Sequence, residues 1–154
     1  MNLEMQARLF AKLLKNHFND RLVSILLFGS VGRRTETPSS DVDILIVVKN
    51  LPPERYIRRT LLEPVLNAAE KKGLTAIFNC HIKTPDEAQK ITVMYFDFPT
   101  DAKLLYDKNG FFAEIIKEVK KKIKASGAVR KKWGEFYYWD LKPGAHADET
   151  FEIL

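Results

Sequence analysis

The amino-acid sequence predicts a mixed α/β (α+β) fold, and three observations carry that reading. Apolar residues recur at three- and four-residue steps both near the N terminus and after residue 110, which is the period of amphipathic helices. Between those segments lie two short, continuously apolar runs, Val23 to Phe28 and Ile44 to Val48, of the kind that form strands buried on both faces. No Pro/Gly/Ser-rich stretch divides the 154 residues into halves able to fold alone. A single domain over residues 1–154 is expected, with its core at 20–84 and a helical and extended extension at 85–154.

Taken in order, Leu3, Ala7, Phe10, Leu14 and Phe18 form a helical stripe that should end near Asn19. Val23 to Phe28 is the first strand and stops at Gly29; Asp41 to Val48 is the second, closed off by Pro52-Pro53. Ile57, Leu61, Leu62, Val65, Leu66 and Ala69 give a second stripe, which Pro64 should kink or divide and Gly73 should end. Leu74 to Ile82 reads as a third strand, between Gly73 and Thr84-Pro85. Short helices are expected from Pro85 to Asp107, with Ala102 to Tyr106 helical. Phe111, Phe112, Ile115, Ile116, Val119 and Ile123 mark a late helix ended by Gly127. The aromatic stretch from Trp133 to Trp139 is expected to be extended and to pack back onto the domain, because consecutive aromatics are costly to expose. Asp140 and Lys142 are candidates to pair at its end.

Composition narrows the class. A hydrophobic share of 45% with 29% charged residues is ordinary for a soluble globular chain. The longest apolar run is far too short to span a bilayer, and Met1 to Lys12 lacks the core of a signal peptide. The single Cys80 forms no internal disulfide, which fits the cytoplasm. A net charge of +5 favours anionic partners, although Lys120-Lys121-Lys122 and Arg130-Lys131-Lys132 read first as solvated cations on and just after the late helix.

Chemistry concentrates between the first two strands. Residues i and i+2 of a strand share a face, so Asp41 and Asp43 project two carboxylates side by side. Two like charges at that spacing call for a cation, and hard oxygen donors suit magnesium completed by water and substrate phosphates. Gly29 lets backbone N–H groups approach a phosphate, and Ser30 adds a hydroxyl donor. A short helix beginning around Val31 would favour the same anion, and Arg33 lies near enough to be a third phosphate partner. A Gly-Ser pair alone is most often a turn and an Asp-x-Asp most often a solvated loop. Their order around two apolar strands is what makes the combination specific.

Leu27-Phe28-Gly29-Ser30-Val31-Gly32-Arg33 followed by Ser40-Asp41-Val42-Asp43-Ile44-Leu45 resembles the DNA polymerase β-like nucleotidyltransferase superfamily, in particular its minimal members. The resemblance implies a mixed β-sheet flanked by helices. It also implies transfer of a nucleoside monophosphate from a nucleoside triphosphate, ATP among them, to an acceptor hydroxyl, with release of pyrophosphate. Ser30 would hold the terminal phosphates, with Gly29 and Arg33 beside it, and Asp41 and Asp43 would be the catalytic acids sharing two magnesium ions. Segments from Thr84-Pro85-Asp86-Glu87 through Leu105-Tyr106-Asp107 to Trp139-Asp140-Leu141-Lys142-Pro143 are similar to a prokaryotic, largely archaeal, subgroup.

One departure matters. Active members carry a third carboxylate on the following strand, where it completes the metal site and helps deprotonate the acceptor. Leu74 to Ile82 contains no acid. Asn79 through its carbonyl, His81 as a base, and Asp97 folded in from later in the chain are the candidates for that place. The alternative to an enzyme is a nucleotide-binding, antitoxin-like module that acts by binding a small helical protein; a nucleic-acid binder is the third reading. His17, His146 and Cys80 lack zinc spacing, and no glycine lies in a Walker-type loop.

Overall fold

In the computed structural model, which describes residues 1–146, the N-terminal stripe is helix α1 (Leu3–Phe18). Asn2 starts it, its side chain accepting a hydrogen bond from the Met5 N–H. Its buried face carries Ala7, Phe10, Ala11, Leu14 and Phe18; each large side chain so buried stabilises by roughly 1.5–3 kcal/mol. The chain continues through β1 (Leu22–Phe28), α2 (Gly29–Arg33), β2 (Val42–Val48), α3 (Arg55–Thr60) and α4 (Glu63–Lys71). It then forms β3 (Phe78–Lys83), α5 (Pro85–Ala88), α6 (Phe98–Asp101), β4 (Lys103–Asp107), α7 (Phe111–Ser126), β5 (Val129–Trp133) and β6 (Phe136–Asp140).

The main sheet has the order β3-β2-β1-β4. Strand β1 is antiparallel to β2 and β4, and β2 is parallel to β3, so the sheet is mixed. Alternation along β2 assigns its two faces. Val42, Ile44, Ile46 and Val48 pack with α1 and α4, while Leu45 and Val47 pack with Tyr95, Phe96, Phe98 and Phe112. Cover on both faces explains why β1, apart from Ser24, and β2, apart from Asp43 at its start, are apolar on both faces. Pro64 divides the second stripe as expected, sitting in the first turn of α4, where its missing N–H leaves no intrahelical bond unmade. Gly73 adopts φ +78 after α4.

Two segments differ from expectation. Strand β3 begins at Phe78 rather than Leu74, because the preceding residues bond elsewhere: the buried Gln6 side chain accepts from the N–H groups of Thr75 (2.8 Å) and Ala76 (2.9 Å). Residues 102–106, expected to be helical, lie largely in strand β4, which pairs with the free side of β1 in the register Ser24↔Asp107 and Leu26↔Leu104. A five-residue segment has too little periodicity to declare itself, and pairing with a strand some 80 residues earlier decides its state. Asp107 then locks β4 to α7, accepting from Ser24 Oγ (2.6 Å) and from the N–H groups of Phe112 (2.8 Å) and Ala113 (3.0 Å).

The aromatic stretch forms the hairpin β5–β6. Of its aromatic rings Trp139 reaches the core, edge-on to Phe96 at 5.4 Å, while Trp133 and Phe136 are 81% and 80% exposed. Asp140 pairs with Lys131 at 2.6 Å. Among the described residues no helix is long and apolar enough to cross a membrane.

Candidate active site

Strand β1 runs out at Phe28 and the chain turns at Gly29, which has φ +67 and opens α2 two residues before the anticipated Val31. In the β1–β2 register Phe28 lies opposite Asp43. Gly29 consequently presses against that acid. A Cβ on Gly29 would collide with Asp43 Oδ2 and lie 3.0 Å from its Cγ. Backbone conformation and contact therefore both require glycine here. One turn on, a Cβ on Gly32 would lie 2.8 Å from the Asp101 carbonyl oxygen, so α2 is wedged between β2 and α6. Ser30, the second residue of α2, is half-buried, and its hydroxyl has no hydrogen-bond partner among the described residues.

Asp41 is exposed just before β2, and Asp43 is half-buried within it; Val42 between them is fully buried on the opposite face. Asp43 shares its face with Leu45 and Val47 but stands at the start of the strand, beyond the most buried part of that face. Across the parallel ladder its partner is Asn79, whose Nδ2 donates to Asp43 Oδ1 at 2.9 Å. An amide thus stands beside Asp43 on the next strand.

His81 lies two residues further along the same face of β3, its ring 5.5 Å from that of Phe28. Burial holds its pKa below the ordinary 6.5, with the Asp43 charge pulling the other way. Cys80 points to the opposite face, and burial pushes its thiol up to about 12, which leaves it inert as a nucleophile. Asp97 is engaged elsewhere, accepting from Trp139 Nε1 at 2.8 Å and lying 3.5 Å from Arg130 Nε.

Arg33 ends α2 with Nη1 3.4 Å from Oδ2 of the buried Asp101, which also binds Arg130 Nη2 at 2.8 Å. The arginine is therefore tethered on one side. Nothing in the sequence marks Asp101, an isolated acid 68 residues from its partner; the Gly-x-x-Gly spacing of 29 and 32 is the one local hint of close packing around α2. Among the described residues no group of three or more His, Cys, Asp or Glu is gathered as a metal cage. Two alternating carboxylates, one exposed and one half-exposed, suit an ion that takes its remaining ligands from water and phosphate, as magnesium does.

A family model described as a nucleotidyltransferase domain matches residues 8–132. A Methanocaldococcus jannaschii protein with the provisional name protein adenylyltransferase is 34% identical over 117 residues, which are 75% of this chain and 79% of that protein. Among solved structures, a toxin–antitoxin complex with AMP-PNP aligns with a TM-score of 0.54 at 17% identity, over 78% of this chain and 87% of its own. A MntA–HepT toxin–antitoxin aligns with a TM-score of 0.50 at 15% identity, over 79% and 87%. At those identities the two structures share the fold. The sequence matches go further, since the family model spans Gly29-Ser30, Asp41/Asp43 and all four strands of the main sheet: the chain belongs to the nucleotidyltransferase domain family.

Proposed function

We propose that the chain transfers a nucleoside monophosphate, AMP in the first instance, from a nucleoside triphosphate to a hydroxyl of a protein acceptor, releasing pyrophosphate. The observation that carries this is the packing of Gly29 against Asp43, which joins the Gly-Ser and Asp-x-Asp motifs in one site. Backbone N–H groups at Gly29 and the free Ser30 hydroxyl take the terminal phosphates. Asp41 and Asp43 would hold two magnesium ions, and Arg33 offers the donors that Asp101 leaves open. When bound, the metal neutralises the triphosphate and stabilises the leaving pyrophosphate. The acceptor oxygen bonds to the α-phosphorus as the bond to the pyrophosphate oxygen breaks. Asn79 cannot take the hydroxyl proton, because an amide is not a base. His81, held neutral at pH 7 by burial, is the side chain on that face able to receive it. A protein acceptor is suggested by the name of the Methanocaldococcus jannaschii relative, and the free Cys80 fits a cytoplasmic setting.

One observation favours a second reading. Asn79 occupies the position beside Asp43 where a third acid is expected, as in a nucleotide-binding module that acts by binding a small helical protein. The toxin–antitoxin names of the structural neighbours suggest the same kind of partner. Incubation with α-labelled ATP, magnesium and any small helical protein found encoded beside this gene or co-purifying with the chain separates the two. Label on the partner, lost in the Asp41→Asn/Asp43→Asn variant, supports transfer; a stable complex without label supports the module. Neither label nor complex contradicts both.

A further inference from the structure

We propose that the cleft along the outer edge of β3 is the acceptor site, and that it takes an extended, acidic polypeptide segment. This rests on the transferase reading above and deepens it. Strand β3 is the edge of the main sheet, hydrogen-bonded to β2 on one side, and among the described residues no strand pairs with the other. A cleft of about 600 Å³ follows that edge, walled by Arg55 and Arg59 from α3, Lys83 and His81 from β3, and Lys90 beyond α5.

The charge of this cleft is more than the fold needs. Arg58 is buried and structural, donating to the Pro52 carbonyl (2.6 Å) and to Glu87 (2.7 Å), and so tying α3 to α5. Glu87, the one acid in the lining, is satisfied by that contact and by the Thr84 N–H. Arg55, Arg59 and Lys90 are exposed, and none is within ion-pair distance of a carboxylate among the described residues. Arg55 opens a helix whose first turn carries no acid, against the helix dipole, and Arg59 repeats the charge at i+4. In the free protein the Arg55 position and the like-charge i,i+4 pair are unfavourable, although Arg59 itself sits in the last turn, where a cation suits the dipole. An anionic ligand between the two guanidinium groups would offset their repulsion.

Position makes this the acceptor side. Gly29 and Ser30 lie on the β1 side of Asp43, so the leaving pyrophosphate is held there, and an in-line nucleophile arrives from the opposite side, over β3. The cleft opens at His81, one alternation, roughly 7 Å, along the strand from Asn79. A free strand edge recognises an extended peptide by backbone pairing. The lining contains no Phe, Tyr or Trp on which a nucleobase would stack, which favours polypeptide over nucleic acid.

The test uses the full chain and a fluorescent random copolymer of glutamate and tyrosine, with a lysine–tyrosine copolymer and a poly-thymidine oligonucleotide for comparison. The acidic copolymer should bind, at least tenfold more weakly to Arg55→Glu/Arg59→Glu/Lys90→Glu and by an intermediate factor to the corresponding triple Gln variant. Affinity for ATP with magnesium should stay unchanged in both, which also reports that they fold. Absence of acidic-copolymer binding, binding indifferent to these substitutions, or tighter binding of the oligonucleotide through the same residues overturns the proposal. The titration needs no nucleotide, so it judges the cleft separately; loss of ATP binding in the wild type would instead strike the transferase reading.

Discussion

Gly29 and Asp43 are packed so closely that a single methyl group on the glycine would occupy the place of the aspartate carboxylate. Gly29→Ala is therefore expected to displace Asp43 and to strain a residue at φ +67. Strain alone costs roughly 1–2 kcal/mol. Gly134 is the control: its φ is +62, but a Cβ there meets nothing within 4 Å. Urea denaturation should show Gly134→Ala losing about the strain cost and Gly29→Ala losing more, and nucleotide binding should fail in Gly29→Ala alone.

The amide of Asn79 beside Asp43 gives the second prediction. Asn79→Asp sets two carboxylates against each other, so without metal the variant should lose about 1 kcal/mol or more from the missing hydrogen bond and the repulsion. Magnesium should restore that stability. If the missing acid limits turnover, transfer should rise by tenfold or more, the lower range of general-base effects being ~100-fold. Thermal melts with and without magnesium, together with a transfer assay, check both parts; a variant indifferent to magnesium would contradict the site geometry.

Protonation of His81 sets a pH dependence. Its folded pKa lies below the unfolded value, so the unfolded chain takes up the proton first as pH falls. The stability it contributes is fully present above about 6.5 and is lost as pH drops from there toward the folded pKa. His81→Gln should flatten that part of the stability–pH curve. Asp43→Asn removes the charge that opposes the shift and should move the His81 titration, followed by its ring-proton NMR signal, to still lower pH.

Asp107 joins three elements through Ser24 and the first turn of α7. Asp107→Ala removes a helix cap and leaves the buried Ser24 hydroxyl without its acceptor. A loss of roughly 2–4 kcal/mol follows from those two costs together. Guanidinium denaturation measures it, and a change under 1 kcal/mol would contradict the locking role.

These residues also mark how far the sequence reads without coordinates. Helices α1 and α7 and strands β1 and β2 declare themselves, because sixteen-residue stripes and doubly covered strands carry their own pattern. Strand β4 does not, since Lys103–Asp107 becomes a strand by pairing with β1, and no local period records that pairing. The site divides in the same way. Gly29-Ser30 and Asp41/Asp43 are legible from order and spacing, and the lack of an acid on the third strand is visible too. That Asn79 faces Asp43, that Asp101 tethers Arg33 and that Asp97 binds Trp139 depend on register and long-range contact. The exposure of Trp133 and Phe136 is equally invisible to a rule that buries aromatics.

Calorimetric titration of ATP into the wild type and the Asp41→Asn/Asp43→Asn variant, each with and without magnesium, tests the joined site most directly. Magnesium-dependent binding in the wild type, reduced at least tenfold in the variant and likewise in Gly29→Ala, is the expected result. Equal affinity in all three proteins, or wild-type binding indifferent to magnesium, would contradict the account.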